Sequence, residues 1–105
     1  MSAMLEGLTK QLNDLAAQVE KLEAEQDAQA KTRSDLKQRM SEARQAIDSG
    51  ASDKEAQKDR LHKLEIEDQQ VAEAQRKTNH DLDGLNERLI AVEREIAMME
   101  DSSIV

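Results

Sequence analysis

The fold of this chain depends on residues 48–53, which read Asp48-Ser49-Gly50-Ala51-Ser52-Asp53. Gly50 can adopt the left-handed backbone conformation that ends many helices. Ser52, with Glu55 three residues later, matches a capping box, which predicts that a new helix opens here. The sequence therefore predicts a turn at 48–53 between helices at 3–47 and 54–100, followed by a frayed tail at 101–105 that carries no helix signal.

On both sides of this turn, apolar residues recur at alternating spacings of three and four. This period of 3.5 residues is that of α-helical coiled coils, and the phase is unbroken from Leu5 to Met99. We call these positions the seam. Its two ends carry the residues that we predict to form the self-association core, namely Leu5, Leu8, Leu12, Leu15, Val19, Leu22, Leu82, Leu85, Leu89, Val92 and Ile96.

The middle of the seam is polar. Coiled coils use isolated polar core residues to fix the register and the number of helices, at some cost in stability. We predict this register-setting role for six residues, Gln26, Gln29, Arg33, Asp68, Gln75 and Thr78.

Two arrangements of the helices fit the seam. In one continuous, parallel coiled coil, Arg33 would face Arg33 of a second chain and Asp68 would face Asp68, which stacks like charges in the core. Folding the chain about residue 52 instead pairs apolar seam residues whose numbers sum to 104 and puts Arg33 one step from Asp68. The sequence therefore predicts an all-α, antiparallel helical hairpin in a single coiled-coil domain spanning 1–105, with the continuous rod as the alternative.

The composition argues against a globular enzyme. The 105 residues include no Phe, Tyr, Trp, Pro or Cys and three Gly, while 36% are charged. Aromatic side chains dominate compact cores and binding pockets, and their absence is typical of a long helix or coiled coil. Without cysteine there can be no disulfide and no thiolate metal site.

The net charge of −8 bears on partners and location. Acidic proteins are repelled by nucleic-acid phosphates and by anionic membranes, so we expect neither as a partner. Residues 1–4 lack a basic flank and an apolar run, so we expect no signal peptide, and no apolar stretch reaches the roughly 18 residues of a membrane span. We expect the protein in the cytoplasm or within a protein assembly.

Two patterns could suggest metal chemistry. Asn79-x-Asp81-x-Asp83-Gly84 resembles the start of a calcium-binding EF-hand loop, but Ile90 stands where the bidentate Glu is needed. The two histidines, His62 and His80, have no second ligand three or four residues away. We therefore predict no metal site, no cofactor and no catalytic residue.

Function follows from the thin core that two helices can form. Ile66, Ile90 and Met98 lie off the seam and could contact further helices in a bundle. We predict a non-enzymatic coiled-coil structural, assembly or adaptor protein that forms homo-oligomers and docks another protein through its helices. Two alternatives remain at this stage: an acidic inhibitor that occupies a basic groove of its partner, and a small hairpin chaperone.

Overall fold

The chain is an all-α helical hairpin, as predicted, and does not form the continuous rod. The structure, a computed structural model, describes the backbone of residues 2–50 and 52–104 and the side chains of 3–50 and 52–101. Helix α1 spans Ser2–Asp48 and helix α2 spans Lys54–Ile104. The absence of proline allows both helices to run without interruption.

The turn between the helices contains the glycine that the sequence singled out. Gly50 has a φ of 76°, in the left-handed region where a side chain would be strained. The N–H of Gly50 donates to the carbonyl oxygen of Ile47 at 3.2 Å. The N–H of Ser49 donates to the carbonyl oxygen of Gln45 at 2.9 Å. These bonds satisfy carbonyl groups that the end of α1 would otherwise leave without partners.

Helix α2 opens at residue 54, as predicted, but its capping residue differs from the one that the sequence indicated. The carbonyl oxygen of Asp53 accepts a hydrogen bond from the N–H of Gln57 at 3.1 Å, which makes Asp53 the capping residue instead of Ser52. The carboxylate of Asp53 also accepts a bond from the side-chain amide of Gln57 at 3.3 Å. The Ser52 prediction was wrong because aspartate, an equally good cap, stands directly before the first helical residue.

The predicted tail at 101–105 was also wrong for residues 101–104, because α2 continues to Ile104. No glycine or proline follows Gly84, and two serines cost a helix only a few tenths of a kcal/mol each. Val105 lies outside the described residues. Helix α1 likewise extends one residue past each predicted bound.

The seam read from the sequence is the surface along which the helices pack. Within residues 3–50 and 52–101, every seam residue is buried or half-buried except Gly50 and Lys54, which flank the turn. Off the seam, the same part of the chain is exposed everywhere but at Ala46 and Ala72. The heptad pattern therefore predicts burial residue by residue.

The hairpin contains two compact units. One comprises residues 26–77, whose core is a cluster of Leu36, Met40 and Leu64 with Leu61 and Val71 packed against it. The other combines the part of α1 up to residue 25 with the part of α2 from residue 78 onward, and we call it the terminal unit. Its buried residues are Leu15, Thr78, Leu82 and Val92.

The core is thin. Among the described residues, seven apolar side chains are buried, namely Leu15, Leu36, Met40, Ala43, Leu64, Leu82 and Val92. Two packed helices cover one side of each seam residue and leave its flanks open to solvent. Much of the apolar seam is therefore only partly covered.

Candidate functional site

The predicted self-association core lies entirely in the terminal unit. Leu15, Leu82 and Val92 are buried there, between the two helices of one chain. The other eight residues of the set are half-buried. These side chains thus pack within the hairpin first, and their part in self-association stays a prediction.

The polar middle of the seam contains a charged cluster. The guanidinium of Arg33 donates from Nε to Oδ1 of Asp68 at 2.9 Å and from Nη2 to Oδ2 at 3.2 Å. It also donates from Nη1 to the side-chain oxygen of Gln75 at 3.0 Å. The expected proximity of Arg33 and Asp68 is confirmed, and the two parallel bonds form the planar fork that arginine favours with carboxylates.

The sequence did not reveal Gln75 as a partner of Arg33, because the hairpin register in which residue numbers sum to 104 places Gln75 opposite Gln29. The residue numbers could have revealed this contact. Asp68 and Gln75 are one heptad apart, and in the register in which opposite residues sum to 104, Arg33 lies between the positions opposite these two residues. A long side chain can therefore reach both. Of the other predicted register-setting residues, Gln26 and Gln29 are half-buried in the unit of residues 26–77, which also contains the charged cluster. Thr78 is buried in the terminal unit.

Electrostatics keep this cluster charged. The hydrogen bond from Arg33 lowers the pKa of Asp68, the positive charges of Arg33 and Lys37 add to the effect, and partial burial opposes it. The hydrogen bond to Asp68 in turn raises the pKa of Arg33. Neither group exchanges a proton near neutral pH, so the cluster is suited to holding the helices in register and unsuited to acid–base catalysis.

We expect this cluster to make stability depend on pH in the acid range. The pKa of Asp68 is lower in the folded chain than in the unfolded chain, so its contribution is present above the unfolded value of about 3.9. That contribution is lost as the pH falls through the folded value. The test compares the urea midpoints of the wild-type chain and Asp68→Asn from neutral pH downward; a gap that closes below about pH 4 supports the assignment, and a constant gap contradicts it.

Two open grooves lie on the surface of the terminal unit. The first, which we call the methionine groove, has a volume of about 430 Å³ and is lined by Met4, Gly7, Leu8, Glu95, Met98 and Met99. Met4 is 70% exposed and Met98 is 69% exposed. Methionine is flexible and adapts to apolar partners, so this groove is suited to binding an apolar helix face.

The second, which we call the glycine groove, has a volume of about 420 Å³. It is lined by Gln18, Leu22, His80, Asp81, Gly84, Leu85 and Arg88. A Cβ atom placed on Gly84 would meet no atom within 4 Å. The missing side chain therefore leaves a recess on the surface of α2.

The off-seam residues expected to face outward do so. Ile66 is 43% exposed, Ile90 is 47% exposed and Met98 is more exposed than either. An antiparallel hairpin brings Met4 and Met98 to the same end, which the sequence alone predicts, and both line one groove. The sequence did not reveal that Gly7 lies beside them.

The described residues contain neither a cluster of metal ligands nor a membrane-spanning segment. Nowhere in them do three His, Cys, Asp or Glu side chains come together to hold a metal ion. Residues 79–84 are helical, whereas an EF-hand needs a loop at that point. None of the helices, as far as they are described, has an apolar segment long enough to cross a membrane.

The described residues thus form a heptad seam with a charged cluster within it. Beside the seam lie the methionine groove, which is mainly apolar, and the glycine groove, which has a mixed lining. No protein family, curated protein or solved structure matches this chain.

Proposed function

We propose that this chain is a non-enzymatic coiled-coil protein that works as an assembly or adaptor element, through self-association and the docking of helices. The observation that carries the proposal is the thin core, in which seven apolar side chains are buried while most of the apolar seam stays half-exposed. Removing such surface from water is the main driving force of association. A second helix pair packed over the seam would remove this apolar surface from water.

The charged cluster supports this role from within the hairpin. Arg33, Asp68 and Gln75 connect α1 and α2 through three hydrogen bonds in the polar part of the seam. Polar core contacts of this kind select one alignment of helices over its neighbours. The hairpin then presents its apolar flanks in one defined arrangement, which an assembly element requires.

The terminal unit supplies the surface to which a partner would bind. The methionine groove and the glycine groove both lie there, and the exposed Met4 and Met98 line the first of them. Fully burying one such side chain contributes about 1.5–3 kcal/mol. Apolar contact of this kind changes little with ionic strength, whereas the binding of an acidic inhibitor to a basic groove weakens strongly as salt rises.

Sedimentation equilibrium over micromolar to millimolar concentrations tests the proposal. We expect the average mass to rise above that of one chain with concentration and to keep rising in high salt. A single chain at every concentration would contradict the proposal. Self-association that vanishes in high salt would contradict it too, because apolar contact changes little with ionic strength.

A further inference from the structure

A second stripe runs along α2 beside the seam. It consists of the exposed residues Asp81, Gly84, Arg88, Ala91, Glu95 and Met98, again at alternating spacings of three and four. Gly84 and Arg88 line the glycine groove, and Glu95 and Met98 line the methionine groove. We call it the flank stripe; it joins the two grooves along one face of the terminal unit.

The flank stripe is self-complementary about Ala91. Gly84 and Met98 lie seven residues before and after it, or about 10 Å in either direction along the helix. One is a recess and the other is a projecting side chain that is 69% exposed. Arg88 and Glu95, which carry opposite charges, lie three residues before and four residues after Ala91.

We propose that the flank stripe binds the flank stripe of a second copy of this chain, with the two α2 helices antiparallel and a two-fold axis at Ala91. Met98 of each copy enters the glycine groove of the other, above Gly84. Ala91 meets Ala91 on the axis, where its small side chain lets the two helices approach closely. Such an isologous contact closes on itself and produces a dimer. The inference rests on the proposed self-association and specifies its geometry.

Charge selects the antiparallel direction. In this arrangement Arg88 of each copy faces Glu95 of the other, which forms two equivalent ion pairs across the axis. A parallel arrangement would instead oppose Arg88 to Arg88 and Glu95 to Glu95. Within the described part of the chain neither side chain forms an ion pair, so both are available to a second copy.

A single introduced cysteine tests the position of the axis, because the chain has none of its own. A disulfide requires Cα atoms about 4.4–6.8 Å apart, and a residue on a two-fold axis meets its own copy at that range. We expect Ala91→Cys to form a covalent dimer under mild oxidation well below the concentration at which random collision does so. Ala97→Cys, also exposed on α2 but off the flank stripe, is the matched control and stays monomeric in the same gel.

Charge reversal tests the pairing independently of any disulfide. We expect Arg88→Glu and Glu95→Arg each to raise the dissociation constant of the dimer about tenfold, since each creates two like-charge contacts. The double variant restores both pairs with their signs exchanged and returns the constant to within about twofold of the wild-type value. Circular dichroism of each variant checks that the helices are intact.

The outcomes separate the inference from the proposed function. A wild-type chain that associates, combined with equal cross-linking at positions 91 and 97 or with no rescue in the double charge variant, overturns the flank-stripe dimer and leaves self-association standing. A wild-type chain that stays monomeric overturns both. Preferential cross-linking at position 91 together with charge rescue supports the dimer as described.

Discussion

Replacing Leu36 by alanine is expected to lower the free energy of unfolding by about 2–5 kcal/mol, because it removes a buried side chain and leaves a cavity. Leu36 is 4% exposed and packs in one cluster with Met40 and Leu64. A core of so few buried residues has little other apolar contact to offset the loss. Urea unfolding followed by circular dichroism measures the change.

The matched control for this substitution is Ile66→Ala. Ile66 is 43% exposed on the same hairpin unit, so its truncation should cost well under half as much as that of Leu36. If Leu36→Ala unfolds the chain outright, Leu36→Met, which keeps the side-chain volume, should still fold with a loss below about 1.5 kcal/mol. Equal losses at Leu36 and Ile66 would show that the cluster is not the core of its unit.

Replacing both Arg33 and Asp68 by leucine is expected to raise the urea midpoint above that of the wild-type chain, whereas either single replacement lowers it. A single replacement leaves one charge in the seam without its partner, and the double replacement exchanges a desolvated ion pair for apolar contact. The side chains of Arg33 and Asp68 are 31% and 19% exposed, so water softens both effects. Urea titrations of the four chains form a double-mutant cycle.

The gain in stability should come with a loss of alignment. In the wild-type chain, the parallel rod would place like charges together in the seam, and a shifted hairpin would leave charges there unpaired. The double variant removes both penalties, so these alternatives compete with the native register. We therefore expect sedimentation equilibrium to show a broader range of masses for the double variant. Arg39→Leu is the control, since Arg39 pairs with Asp35 at 3.0 Å on the surface and its loss should hardly move the midpoint. A double variant that is less stable than both singles would contradict the assigned role.

Much of the fold was accessible from the residues alone. The alternation of three and four depends only on the geometry of a single helix, and it identified nearly every residue that the hairpin covers. Gly50 marked the reversal because a left-handed residue is a local requirement of the backbone. The proximity of Arg33 and Asp68 followed once the turn was placed, since an antiparallel pair has one free parameter, its register.

Other features depended on how the two helices meet. The third hydrogen bond of Arg33, to Gln75, depends on the conformation of a long side chain that spans two successive turns of the facing helix. The methionine groove required Gly7 and Met98, which are far apart in sequence, to lie side by side. Hydrophobic periodicity is a property of one helix and can be read from the chain, whereas a groove or a forked hydrogen bond is a property of two surfaces in contact and exists only after the hairpin has closed.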